Sequence, residues 1–460
     1  MAVFVDCEGQ SPASGGNLLQ RDPSEHQSAS KVEFNRQRNH LIPQALVLGL
    51  TTGATSVAFH IAMNSAEAFR KKFLDLSHQN PDFGVGMILG LALITLIISA
   101  GIVRQFAPEA SGSGIPHIKG VLIGHRHFRW FRVLITKFIS MVIGGIGGLV
   151  VGRAGPCVHM GSSIGQGLAN IWPKNGNPEH TILIAAGGGA GLTAAFNAPL
   201  SGLTFVLEEL ERRCSSLEFV TAAMACLTAD MVCRAALGQQ PAFHFVNFTA
   251  PPLSLLIAFV PLGLLSAVLG SLFTHALLRG QRLVTLSVWP KTMWWLTLAT
   301  WLTATAWYAP ELLGGGYDFV NEILVGRELT LGTIALFFVS RFVLTIGSSC
   351  SGAAGGIFMP ILVLGALLGW GVGATTQLCF PELNADPKLF AVIGMAAYFS
   401  GVVQAPLTGI VLIIEMTSDY ALILPLFIAC FTALLIVNWL GCPPVYEALL
   451  ENELRQKRIQ

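Results

Sequence analysis

Gly112-Ser113-Gly114-Ile115-Pro116, Gly152-Arg153-Ala154-Gly155-Pro156 and Gly355-Gly356-Ile357-Phe358-Met359-Pro360 decide how this chain is read. Each sets glycine-loosened backbone just ahead of an apolar run that starts on proline. Proline suits the first turn of a helix, where its missing N–H would be unpaired anyway. A helix that begins at such a break keeps free amide donors and about half a positive charge at its N-terminus. Three such ends at membrane depth would make a neutral, dipole-built site for an anion. A bare anion enters hydrocarbon only where something replaces its water shell.

The sequence around the breaks is that of a membrane protein. Apolar residues make up 53% of the 460 and charged residues 12%, against about 25% charged in soluble proteins. The runs 85–103, 253–277, 331–346 and 423–440 approach the roughly 20 residues that span a bilayer. The length rule predicts about ten or more crossings or partial crossings, several of them short and interrupted by Gly or Pro. Broken helices of that kind are tolerated only where they face protein or a watery cavity. The polar lead 1–40 lacks the pattern of a signal peptide and reads as a disordered or loosely helical cytoplasmic segment. Lys31, Arg36 and Arg38, the loop 125–132, Arg212-Arg213 and the tail 455–458 are basic. The positive-inside bias places these segments, and with them both termini, in the cytoplasm. Net charge is +1 with no basic stripe of interleaved aromatics, which argues against a nucleic-acid partner. The nine cysteines show no CxxC and no Cys/His ligand spacing. They read as small buried apolar residues, with no metal site and no cofactor.

The chain also repeats itself. Asn197-Ala198-Pro199-Leu200-Ser201-Gly202-Leu203, leading to Glu208, returns 207 residues later as Gln404-Ala405-Pro406-Leu407-Thr408-Gly409-Ile410, leading to Glu415. Gly187 and Gly394 keep the same register. Upstream, Lys137-Phe138 resembles Arg341-Phe342, and Gly152-Arg153-Ala154-Gly155 resembles Gly352-Ala353-Ala354-Gly355. Ordered matches of this kind are a signature of transporters with a midplane site between two halves. The division expected is a lead 1–40, a first repeat 41–250, a second repeat 251–446 and a short cytoplasmic tail 447–460.

Several side chains carry chemistry. Ser113 lies between two glycines, and its hydroxyl can donate to an anion or simply cap a helix. At the third break the amides of Ile357 and Phe358, next to Gly356, are placed to point at a ligand. Tyr446 follows Pro443-Pro444, either as a further donor or as an interfacial anchor. Neutral donors hold an anion well enough to admit it and weakly enough to release it. The adjacent carboxylates Glu208 and Glu209 end an apolar run and must be solvated, paired or protonated. His117 and His159 are expected to be packed or solvated.

These motifs, in order and spacing across residues 41 to 450, resemble the CLC family of chloride channels and chloride/proton antiporters, in its prokaryotic form without a C-terminal soluble domain. The resemblance implies an all-α multi-pass membrane protein with the CLC-type fold: two inverted-topology repeats whose broken helices meet at a midplane anion site. It further implies a homodimer in the inner membrane lipid bilayer, with one pathway per subunit. Carried over residue by residue, Ser113 and Tyr446 match the side chains that hold the central chloride, and Gly356, Ile357 and Phe358 its backbone donors. The serine type favours chloride, with bromide or nitrate as possible companions. Glu209 matches the internal glutamate of the proton pathway. Arg153 and Gly155 flank the external gate, where Arg153 is expected to satisfy backbone carbonyls.

Ala154 departs from the pattern. Most of the family has glutamate there, which serves as external gate and proton carrier. Alanine has neither charge nor proton, so chloride should pass without proton coupling. A substituted antiporter and a natural gate-less channel both fit. So does an antiporter still coupled through another acid, although none is obvious near 154. Two readings outside transport are weaker. A serine hydrolase built on Ser113 or Ser163 with His159 needs a base within reach of its nucleophile. A nucleotide site at Gly187–Gly191 lacks the preceding strand; those glycines fit close helix packing.

Overall fold

The computed structural model describes residues 23–172, 177–211, 215–239, 243, 248, 251–286, 291–327 and 329–459, the side chains of 23–39 and a few helix ends excepted. The basic pair Arg212-Arg213, residues 1–22 of the polar lead and the side chains of 456–458 therefore lie outside the described residues. The chain divides into Met1–His40 and Leu41–Gln460.

The first half contains α1 (Pro23–His78), α2 (Pro81–Phe106), α3 (Ile115–Leu122), α4 (Trp130–Ile146), α5 (Ala154–Ile171), α6 (Asn177–Phe196), α7 (Pro199–Phe205) and α8 (Ser216–Leu237). The second contains α9 (Leu253–Leu256), α10 (Phe259–Leu286), α11 (Lys291–Tyr308), α12 (Tyr317–Val325), α13 (Leu331–Cys350), α14 (Phe358–Cys379), α15 (Pro387–Val403), α16 (Pro406–Thr417), α17 (Ile423–Trp439) and α18 (Val445–Ile459). Among the described residues, seven helices are long and apolar enough to cross a membrane. The remaining apolar elements are the partial crossings that the interrupted runs predict: α3, α7, α15 and α16 are too short or too broken to span alone. Exposed Ile94, Leu272, Leu336 and Leu435 on the long helices give the molecule an apolar outer face, as hydrocarbon requires.

The repeat is structural. Asn197 and Gln404 both take left-handed backbone (φ 54° and 64°) and Ala198 and Ala405 share one extended N-cap geometry before α7 and α16. Gly187 on α6 meets Gly161 on α5 so closely that an added Cβ would lie 2.3 Å from the Gly161 carbonyl oxygen. Gly394 on α15 and Gly365 on α14 repeat the contact, again at 2.3 Å. The Gly187–Gly191 run thus serves helix packing. Buried Lys137 donates to the carbonyls of Ala110 and Gly112 at 2.9 and 2.6 Å. Its counterpart Arg341 donates to those of Leu312 and Gly315 at 2.6 and 2.7 Å.

One expected pairing shifts. Gly152–Gly155 corresponds to 356–359 rather than to 352–355. Arg153 and Ile357 are the N-caps of α5 and α14, and Gly152 and Gly356 bond to each other across the repeat. Glycine- and alanine-rich strings align in several registers; the helix start selects one.

Glu208 and Glu415 explain how the repeats are oriented. Glu415 accepts from the amides of Leu200 and Ser201 at 2.9 and 2.8 Å. Glu208 accepts from those of Leu407 and Thr408 at 3.0 and 2.7 Å, and from the Thr408 hydroxyl. Each carboxylate, at the far end of its own segment, caps the start of the other repeat's helix. α7 and α16 are therefore antiparallel, which is the inverted topology. An anion at a helix N-terminus complements the unpaired amides and the dipole together.

Candidate functional site

The three breaks come together through their own backbone. Gly112 N–H donates to Ala353 O at 3.1 Å, and Gly355 N–H to Gly112 O at 2.9 Å. Gly152 and Gly356 exchange a pair of bonds at 2.6 and 3.0 Å. These short bridges tie the first and second motifs to the third, so α3, α5 and α14 all begin at one place. Gly155 fills the centre. A Cβ there would sit 3.1 Å from Ser113 Cβ and 3.2 Å from Gly356 Cα.

Each sequence-named residue has a definite place. Ser113 is buried, and its Oγ accepts from Ile115 N only at a long 3.3 Å. That geometry is a weak turn contact, and α3 has Gly114, not serine, as its N-cap (φ 86°). Ile357 is the N-cap of α14 and Phe358 its first residue; the helix rule leaves the amides of its first turn without intrahelical acceptors. The Phe358 ring packs against Phe399 and Phe196 at 4.6 and 5.5 Å between centroids. Ala154 is fully buried as the first residue of α5. Tyr446, in the first turn of α18, is 0% exposed and its hydroxyl has no hydrogen-bond partner. An anchoring tyrosine would reach the interface; this one is sealed inside. A buried hydroxyl left unpaired costs about 1–3 kcal/mol, so it marks a place where a ligand is expected.

Arg153 differs from expectation. Its Nη1 donates to Asn64 Oδ1 at 3.3 Å and its guanidinium lies 5.2 Å over the Tyr317 ring. The carbonyl-capping role falls instead to Arg70, which donates to Gly145 O at 2.7 Å, and to Arg341. The hydrolase arrangement is not formed either: Ser163 Oγ donates to the backbone oxygen of His159, not to its ring.

Glu209 lies in a π-turn that follows α7 and is buried. Lys119 Nζ sits 2.6 Å from its Oε1 and 3.6 Å from Glu447. The partner of Lys119 could not be inferred, because 90 residues separate it from Glu209. Beside Ser113 a cavity of about 1020 Å³ opens along Glu109, Arg126, His127 and Arg129. Arg129 clamps Glu109 with bonds of 2.7 and 2.8 Å. Burial works against the charge of Glu109, but the bond and charge of Arg129 outweigh it and hold the carboxyl below its ordinary range. The seven cysteines among the described residues are free, five of them buried.

The first turn of α14, Ser113 and the Tyr446 phenol, on the helix packed against α3, are neutral donors of the kind that replace an anion's water, and the cavity beside Ser113 is mostly apolar with basic residues along one side. Comparison with known proteins agrees in kind. The model of the voltage gated chloride channel family matches residues 94–438. The H(+)/Cl(-) exchange transporter ClcA of Vibrio cholerae is 38% identical over 431 residues, covering 90% of each chain. The protein of that name from Citrobacter koseri is 34% identical, covering 90% of this chain and 88% of its own. A slow cyanobacterial Cl-/H+ antiporter of known structure superposes with a TM-score of 0.85 at 32% identity, over 91% of this chain and 99% of that one. With the family model covering most of its length and the fold shared throughout, the chain belongs to the voltage gated chloride channel family and has the CLC architecture.

Proposed function

We propose that this protein moves chloride across the inner membrane through a pathway centred on Ser113, Gly356, Ile357, Phe358 and Tyr446, and that it does so without obligatory proton exchange. The orphaned Tyr446 hydroxyl carries the reading. It is an unmet donor, sealed from water, on the helix that packs against α3. An anion bridging Tyr446, Ser113 and the free amides of α14 would satisfy all of them at once. The names of the relatives favour chloride among anions.

The uncoupled part of the reading rests on two residues. Ala154 offers no ionisable group at the start of α5, where the gate of an exchanger needs one. Glu209 is tied to Lys119 by a buried ion pair. A proton passing through Glu209 would have to displace its 2.6 Å bond to Lys119, whose charge would then be left to Glu447 at 3.6 Å. The chain then works as a passive chloride path on an exchanger scaffold. The homodimer with one pathway per subunit, and cytoplasmic termini, complete the picture drawn from the family.

The test is Ala154→Glu in proteoliposomes. The substitution is expected to restore proton movement coupled to chloride flux. Unchanged chloride flux with no proton movement would sink the gate assignment.

A further inference from the structure

His117 and His159 form a hydrogen-bonded imidazole pair, Nδ1 to Nε2 at 3.1 Å, with ring centroids 5.2 Å apart. They stand on α3 and α5, the helices that start at the first two breaks. His117 also lines the cavity. One ring donates and the other accepts across the shared bond, so His159 Nδ1 is the nitrogen left for a further partner. That atom has no partner, and His159 is 0% exposed. It faces Gly114: a Cβ added there would lie 2.1 Å from it. The pair therefore runs from the cavity to the loop that carries Ser113, and ends there in an unpartnered nitrogen.

The charges around the pair are unequal. Arg126 and Lys137 face it as cations and Glu109 as an anion. Arg126 lies 2.7 Å from Glu453 of α18, and Lys137 spends its hydrogens on the carbonyls of Ala110 and Gly112. Phe128 packs against both rings and excludes water from them. The buried pair, with Arg126 and Lys137 near it, is a poor place for a further positive charge on its own. An anion beside Ser113 would supply the missing negative charge. Proton and anion would then raise each other's affinity by the same factor, as linkage demands.

We propose that the His117–His159 pair binds one proton together with the anion, so that anion binding and flux in this chain depend on pH although residue 154 cannot ionise. The proposal rests on the anion reading given above. With one proton added, both outer nitrogens of the pair carry N–H, and His159 Nδ1 presents its own beside the Gly112–Gly114 loop. The proton enters at His117, which lines the cavity, and leaves the same way, so the pair adjusts anion affinity without carrying a proton across.

Calorimetric titration of the whole protein with chloride at about pH 5, in two buffers of different ionisation enthalpy, reads the protons taken up per chloride. Uptake approaching one proton is expected, with chloride affinity several-fold higher at about pH 5 than at about pH 7.5. The double variant His117→Gln, His159→Gln should bind chloride with no uptake and a flat pH profile. The arm on the unchanged protein stands by itself should the double variant not fold. Chloride binding without proton uptake overturns the proposal. So does uptake that persists without both imidazoles and vanishes in Glu209→Gln. Absence of chloride binding at either pH overturns the anion reading instead, and this one only as its consequence.

Discussion

At the scale of single residues, the account turns on Tyr446. Its hydroxyl is buried and unpaired, which gives a prediction of opposite signs. In chloride-free buffer, Tyr446→Phe removes an unsatisfied group and should leave the protein equally stable or up to about 1 kcal/mol more stable. In chloride, the unchanged protein should gain stability as ligand binds, by RT ln(1 + [L]/Kd). The variant should gain several-fold less for the same chloride concentration. Thermal unfolding in gluconate and in chloride checks both. Equal chloride stabilisation of the two proteins would remove Tyr446 from the site. That Ser113 sits in a break just ahead of a helix was legible from the two glycines and the proline around it. The sealed state of Tyr446 was not, since an aromatic after Pro443-Pro444 serves an interface equally well.

At the scale of elements, glycine and proline made the helix starts visible, while the long-range polar contacts left no local trace. Pro199 and Pro406 announced α7 and α16, and the 207-residue spacing paired them. That Glu208 and Glu415 cross over to cap each other's helices needed the structure. The capping residue lies 215 positions from Leu200 in one case and 199 from Leu407 in the other. The shift of Gly152 to its partner Gly356 is a similar lesson: composition located the repeat but left its register open. The crossed caps predict matched effects. Glu415→Gln and Glu208→Gln should each destabilise the protein by about 1–2 kcal/mol, because a neutral amide keeps one acceptor but loses the charge that favours helix N-termini. Denaturant unfolding in detergent micelles reads this. A large loss for one substitution and none for the other would mean that the caps are not equivalent.

At the scale of the molecule, the two halves run in opposite directions about the bridge between Gly152 and Gly356. Antiparallel repeats bring helix N-termini from both halves to one point, which a parallel duplication could not do. Amides and dipoles then concentrate at that point, and the buried Lys137 beside it spends its hydrogens on the carbonyls of Ala110 and Gly112. Family membership and architecture were readable from the motifs because those motifs are the helix breaks themselves. The proposed loss of proton coupling rests in the sequence on a single alanine, Ala154, and the structure adds the Lys119–Glu209 pair at 2.6 Å. The decisive measurement is simultaneous recording of chloride and proton flux from chloride-loaded proteoliposomes diluted into low chloride. The account predicts rapid chloride efflux with no accompanying proton uptake. Chloride efflux tied to proton uptake in fixed ratio would contradict it, and would mean that another group does the work of the missing glutamate.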